Sequence, residues 1–189
     1  MPPLQLQAKK TALVLIDLQH GIVNMAPNGG AAVIEQAAQL ARRFRALGAP
    51  VVLVKVAFPG GPLAPQVQTD AQITLPPAMP AGWDQHVDAL GHDAGDIIIT
   101  KRQWGAFYGT DLELQLRRRG IDTMVLGGIA TNIGVESTAR FAYEYGFNQV
   151  FAEDATGALN DEVHRHTFKH ILPRLGRVRS TAEILAALA

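Results

Sequence analysis

Short apolar runs separated by segments of helix length constrain this chain more than any other feature. The first run, Thr11-Ala-Leu-Val-Leu-Ile-Asp17, has no polar residue between its ends. A strand with one wet face would alternate, so an unbroken run of this length reads as a strand covered on both faces. Val51-Val-Leu-Val-Lys-Val56 is a second such strand. Shorter strands are expected at Asp96 to Ile99, Asp122 to Leu126, Gln149 to Ala152 and Arg177 to Arg179. Ala31 to Leu47 reads as a helix with Val33, Ala37, Leu40, Ala41, Phe44 and Leu47 on one side and Gly48 at its C′ position. Thr110 to Glu113 spells a capping box for a helix to Arg119, ended by Gly120, and Ser180 to Glu183 spells another for the last helix. Gly134 to Tyr145, ended by Gly146, turns Val135, Ala139 and Ala142 inward, and Asp161 to Leu172 is a helix stopped by Pro173. Strands alternating with helices predict an α/β three-layer sandwich around a central, mainly parallel six-stranded sheet. The 189 residues suit one domain spanning 1–189.

Composition narrows the function. Lys and Arg together equal Asp and Glu, 17 each, so no basic excess marks a nucleic-acid partner. No apolar run approaches the ~18 residues that span a bilayer, and the polar start lacks the core of a signal peptide, which makes cytoplasm the expected location. There are no cysteines, which excludes disulfides, thiolate metal sites and a cysteine nucleophile. Charged residues are 18%, below the roughly 25% usual for soluble domains, so part of the surface is expected to be covered in a homo-oligomer, a dimer or tetramer. Phe58 to Gly95 is rich in Pro, Gly and Ala and reads as a lid, a binding loop or an interface arm.

In an open α/β sheet, ligands bind beyond the carboxyl ends of the strands. Asp17 ends the first strand, and Lys101 follows the third by two residues, at what reads as an adjacent sheet end. Gly127 to Gly134 joins the fourth strand to its helix. A carboxylate, an ammonium and the backbone N–H groups of a small-residue turn are expected to converge on one crevice, a setting for a small anionic substrate. The turn is neither G-x-G-x-x-G nor G-x-x-x-x-G-K-[ST], so a nucleotide reading is weak. Trp104, Phe107 and Tyr108 follow Lys101 and are placed to line a pocket for a flat or apolar ligand, with packing an equal alternative for Phe107. His166 and His170 are spaced i, i+4, but no third ligand is evident, and neither a metal nor any other cofactor is expected.

Three blocks carry a more specific resemblance. Leu15-Ile-Asp17-Leu-Gln19, then Lys101-Arg-Gln-Trp-Gly-Ala-Phe107-Tyr-Gly-Thr110-Asp-Leu, then Gly128-Ile-Ala-Thr-Asn-Ile-Gly134-Val-Glu-Ser-Thr-Ala-Arg140 resemble, in order and spacing, the signature blocks of the isochorismatase-like (cysteine hydrolase) superfamily. The resemblance implies a Rossmann-like central sheet and an Asp–Lys–Cys triad, mapping Asp17 and Lys101 to the first two members. It also implies a cis peptide at Ile129–Ala130. Gln19, Ile129, Ala130, Thr131 and Ile133 join Trp104 and Phe107 as candidate substrate contacts. The departure is Gly134, which stands at the cysteine position, so the thiolate attack used by most of the family has no counterpart in this chain. True isochorismatases also lack the cysteine and cleave a vinyl ether with water, which needs an acid; Asp17 is the candidate. Lys101 either tunes Asp17 or holds a substrate carboxylate. The Asp-x-His cluster that metal-dependent nicotinamidases place after the second strand is absent here, where the segment reads Ala57-Phe-Pro-Gly-Gly-Pro62. Two other readings stay open: a binding protein that has lost turnover, and hydrolysis of a different small substrate by water directed through Asp17.

Overall fold

The computed structural model describes residues 3–26, 29–58, 68–71 and 79–189. Its strands are β1 (Thr11–Ile16), β2 (Val51–Val56), β3 (Ile97–Lys101), β4 (Thr123–Ile129), β5 (Asn148–Gly157) and β6 (Arg177–Arg179). They form one six-stranded sheet in the order β3-β2-β1-β4-β5-β6, every neighbouring pair parallel. Helices are α1 (His20–Val23), α2 (Gly29–Ala46), α3 (Leu112–Arg118), α4 (Glu136–Glu144), α5 (Asp161–His170) and α6 (Thr181–Ala187).

Strict alternation along the strands builds two cores. Leu13, Leu15, Val51, Leu53 and Val125 face one side, against α2 and the Ile184 end of the chain. Ala12, Val14, Ile16, Val52, Val54, Met124 and Leu126 face the other, against Leu112, Leu116, Ala139, Ala142 and Phe168 of α3, α4 and α5. All six residues of β1 are buried, which is why its sequence is apolar at every position after Thr11. Each such Leu, Val or Ile withdrawn from water contributes about 1.5–3 kcal/mol. Gly48, Gly120 and Gly146 sit at left-handed φ behind the helices they end.

Several boundaries differ from the sequence expectation. The third strand runs on to Lys101, which is therefore its last residue and not two beyond it. β2 lies between β1 and β3, so Asp17 and Lys101 leave strands that are not neighbours. The Thr110–Glu113 capping box does not form. The Thr110 hydroxyl donates to the Ala106 carbonyl at 2.5 Å and accepts from the Leu112 amide at 3.2 Å, and α3 opens at Asp111 without a side-chain cap. At Ser180 the box is complete. The helix expected from Gly134 instead begins as a π-helical turn, Thr131–Val135, that runs into α4. α5 ends at His170, and Pro173 lies in a short 3-10 turn, Leu172–Arg174. β5 extends to Gly157, five residues past Ala152, with a register break between Leu126 and Gly128 of its partner β4. Much of the Phe58 to Gly95 stretch lies outside the described residues. Its 83–87 portion pairs in antiparallel fashion with 18–21: Val87 N–H donates to Leu18 O, His20 N–H to Gln85 O and Gly21 N–H to Trp83 O.

Candidate active site

The strand order reverses its direction of growth between β1 and β4, and the crevice beyond such a switch point is where doubly wound sheets bind ligands. Ile16, the last residue of β1, pairs with Gly128 of β4. Asp17 follows at once, with its own amide bonded to Val54 O at 2.9 Å and its φ at +52°. A non-glycine residue in that region is uncommon and tends to mark functional sites. The turn aims the carboxylate across the end of β2. Neighbouring strands lie about 4.8 Å apart, so two steps are nearly 10 Å, and only a long side chain closes that gap. Lys101 does: its Nζ lies 2.7 Å from Asp17 Oδ2, with the two side chains 3% and 8% exposed. Nζ also donates to Gln103 O.

The second carboxylate oxygen, Oδ1, is buried and has no hydrogen-bond partner among the described residues. Burial raises the Asp17 pKa to about 6, and the Lys101 ammonium, which pulls the other way, does not overcome it. The site therefore holds a carboxyl group with one oxygen anchored on an ammonium, the other buried near the Val56 backbone, and a titration point near pH 6.

Position 134 completes the crevice. A Cβ on Gly134 would stand 3.2 Å from Asp17 Oδ2, 2.9 Å from Ile16 Cγ2 and 3.5 Å from the Trp104 carbonyl oxygen. Its φ is not in the left-handed region, so close approach and not backbone freedom is what a side chain would disturb here. The turn that carries it follows a cis peptide at Ile129–Ala130. The Thr138 hydroxyl donates to Gly134 O at 2.7 Å and accepts from Ala106 N–H at 3.0 Å, tying this turn to the loop after β3.

Asp17, Lys101, Gly134 and the backbone of Trp104 thus come together. Ala130 and Thr131 are buried in the same turn, and Ile133 is half-buried there. Trp104 is 62% exposed at the rim. The other candidate contacts serve the fold. Gln19 is fully buried, and its amide is taken up by Val56, donating to the carbonyl at 3.0 Å and accepting from the N–H at 2.9 Å. Phe107 packs against Tyr145 and Phe147, the packing alternative. The Ile129 side chain belongs to the core on the α2 face. His166 and His170 are exposed, and among the described residues no group of three His, Cys, Asp or Glu could hold a metal. No helix among those residues is long and apolar enough to cross a membrane. A groove of about 530 Å³ at the opposite end of the sheet is lined by Arg45, Asp93 and Asp96, but the Arg45 guanidinium there is committed to Asp96 at 2.8 and 3.0 Å.

Sequence reasoning passed over one polar contact. Thr131 Oγ1 lies 2.8 Å from Nδ1 of His164 on α5. The signal was there: His164, Thr167 and Phe168 are spaced i, i+3, i+4 and form the inward stripe of that helix.

A doubly wound α/β sheet with a buried Asp–Lys pair at its switch point defines a class of small-molecule enzyme folds. The isochorismatase domain model matches residues 11–183, and the chain belongs to that family. It is 55% identical over 188 residues to an uncharacterized isochorismatase family protein, YecD, of Escherichia coli O157:H7, covering 98% of this chain and 100% of that one. It is 30% identical over 212 residues to the ureidoacrylate amidohydrolase RutB of Methylobacterium radiotolerans, covering 98% and 82%. An isochorismatase family protein from Burkholderia thailandensis has the same fold, with a TM-score of 0.91 at 44% identity and coverage of 97% and 98%. The named activity among these relatives is hydrolytic.

Proposed function

We propose that this chain is a cysteine-independent hydrolase in which Gly134 stands at the family's cysteine position and Asp17 delivers a proton to a small anionic enol or vinyl ether. The observation that carries the reading is the buried Oδ1 of Asp17, without a hydrogen-bond partner among the described residues, with Oδ2 held by Lys101, in a chain without a thiol. In the reaction, Oδ1–H protonates the terminal vinyl carbon. The oxocarbenium ion that results takes up water, whose proton returns to Asp17, and the hemiketal collapses to a ketone and an alcohol. Lys101 either stays on Oδ2 or is shared with a substrate carboxylate. The glycine at position 134 lets the turn approach Asp17 more closely than a residue with a side chain could. Trp104, Ala130, Thr131 and Ile133 are the remaining candidate contacts. The protein acts in the cytoplasm as a homo-oligomer and needs neither metal nor other cofactor.

The test is turnover of isochorismate. Asp17→Asn lowers kcat by roughly 10²–10⁴-fold, while the wild-type rate survives EDTA and iodoacetamide. Trp104, whose carbonyl lies 3.5 Å from the Cβ position of Gly134, gives a fluorescence readout of binding that does not depend on turnover. Binding without turnover would replace this reading with that of a ligand-binding family member. Loss in EDTA with recovery on zinc would reject the metal-free mechanism.

A further inference from the structure

The π-helical turn Thr131–Val135 carries position 134, yet no side chain caps its start. Among the described residues, the hydroxyl of Thr131, itself fully buried, has one partner, His164 Nδ1 at 2.8 Å. The buried hydroxyl proton is satisfied among the described residues when it points at Nδ1, the arrangement of the tautomer with its hydrogen on Nε2. The imidazole is braced from behind by the Phe168 ring at 4.7 Å. Beside it, Thr167 of the same helix reaches Glu136 at the start of α4 at 3.5 Å. α5 is therefore tied by side-chain hydrogen bonds to both ends of the segment on which Gly134 rides, and the His164 bond is the shorter.

We propose that His164 is a positioning residue of the candidate site, its Nδ1 accepting the Thr131 hydroxyl and so fixing the turn that holds Gly134 against Asp17. The proposal rests on that turn being part of the reacting site. It does not require isochorismate to be the substrate. Burial lowers the His164 pKa, in keeping with a ring that must stay neutral to accept. Protonation puts a hydrogen on Nδ1, reverses the bond and leaves the buried Thr131 proton without an acceptor. The charged groups around the ring are Glu153 on β5 and Asp161, which favour the cation, and Arg165, which opposes it. Across the contact, the turn contributes no charge and Glu136 of α4 is paired with Arg140.

The experiment uses the whole protein and three variants. His164→Asn offers an oxygen near the Nδ1 position, His164→Leu fills space without an acceptor, and Thr131→Val removes the donor. Amide hydrogen exchange of residues 132–136 is the first readout, because it needs no substrate. Exchange there should rise at least tenfold in His164→Leu and Thr131→Val, stay near wild type in His164→Asn, and remain unchanged in β1 and β2. Corrected for intrinsic chemistry, wild-type exchange in the turn should rise as pH falls through the His164 titration, whereas His164→Asn stays flat. Nitrogen-15 shifts should show Nδ1 unprotonated at pH 7. A protonated Nδ1, no rescue by Asn, or a loss of protection spread over the whole sheet would overturn the proposal. Turnover of isochorismate, measured alongside, separates the two ideas: a silent wild type whose turn still loosens in His164→Leu defeats the proposed reaction and leaves the positioning role standing.

Discussion

At the scale of single residues, the Asp17–Lys101 pair sets the pH behaviour. A buried carboxyl whose pKa is raised to about 6 binds a proton more readily in the folded chain than in the unfolded one. Its contribution to stability is thus full below the unfolded value of 3.8 and lost as pH rises through about 6. The proposed acid must also be protonated to act. The expected kcat/KM profile for isochorismate therefore falls tenfold per pH unit above about pH 6, and a plateau from pH 6 to 8 would remove Asp17 as the acid. Lys101→Met takes away the main influence that lowers the Asp17 pKa. Carbon-13 titration of Asp17 should then place it above 6, and an unchanged value would deny the coupling. Gly134→Ala tests the remaining member. Its Cβ lands 2.9 Å from the buried Ile16 methyl and 3.2 Å from Asp17 Oδ2, so overpacking should cost about 1–3 kcal/mol in urea denaturation and turnover should drop with it. Neutral stability with full activity would mean that the glycine leaves no space the chemistry uses.

At the scale of elements, the strap at 83–87 is where the site depends on distant chain. It adds three backbone hydrogen bonds to the segment directly after Asp17, and Gln19 holds that segment to the end of β2. The Trp83 indole lies where a side chain at residue 21 would go. Gly21→Ala should therefore destabilise the protein by about 1–3 kcal/mol, and by clearly less in a Trp83→Ala background, because the cycle removes the clash. Equal costs in the two backgrounds would show that the indole is not what requires the glycine. None of this was legible in the sequence, since backbone pairing with an irregular segment leaves no periodic mark. β1 and β2 were legible because both their faces are buried. The end of β5 was not, because the exposed Glu153 and Asp154 break its apolar run. Asp154 turns out to bond the Thr181 amide and hydroxyl at the start of α6, both at 2.7 Å. Asp17 and Lys101 could be picked out as strand-end charges, but the order of the strands, and with it the reach of Lys101 across β2, is a tertiary fact that no local pattern encodes. The lost capping box at Thr110 has the same origin: the hydroxyl found a carbonyl at Ala106, in a loop whose shape the motif does not specify.

At the scale of the whole molecule, the outer surface of α4 and the loop after β3 expose several aromatic side chains. Tyr108 is 64% exposed, Trp104 62%, and Phe141 and Tyr145 40% each. Phe141 and Tyr145 have ring centroids 6.4 Å apart, Tyr145 contacts Phe107, the residue before Tyr108, and Phe141 lies against Gly105, the residue after Trp104. Patches of this kind on a chain poor in charge mark interaction surfaces, and enrichment in aromatics is what separates an interface core from ordinary surface. Because the Trp104 carbonyl lies 3.5 Å from the Cβ position of Gly134, a partner seated on this patch would border the crevice. The expected mass by light scattering at micromolar concentration is thus a multiple of 20.3 kDa. Tyr108→Glu places a charge at the most exposed of the four residues and should shift the protein toward that single-chain mass. It should do so without changing its circular dichroism, since Tyr108 is largely exposed in the single chain. A wild-type protein that runs only at 20.3 kDa would reject assembly outright. An oligomer indifferent to Tyr108→Glu and Phe141→Glu would move the interface elsewhere on the surface and free the mouth of the site from any partner.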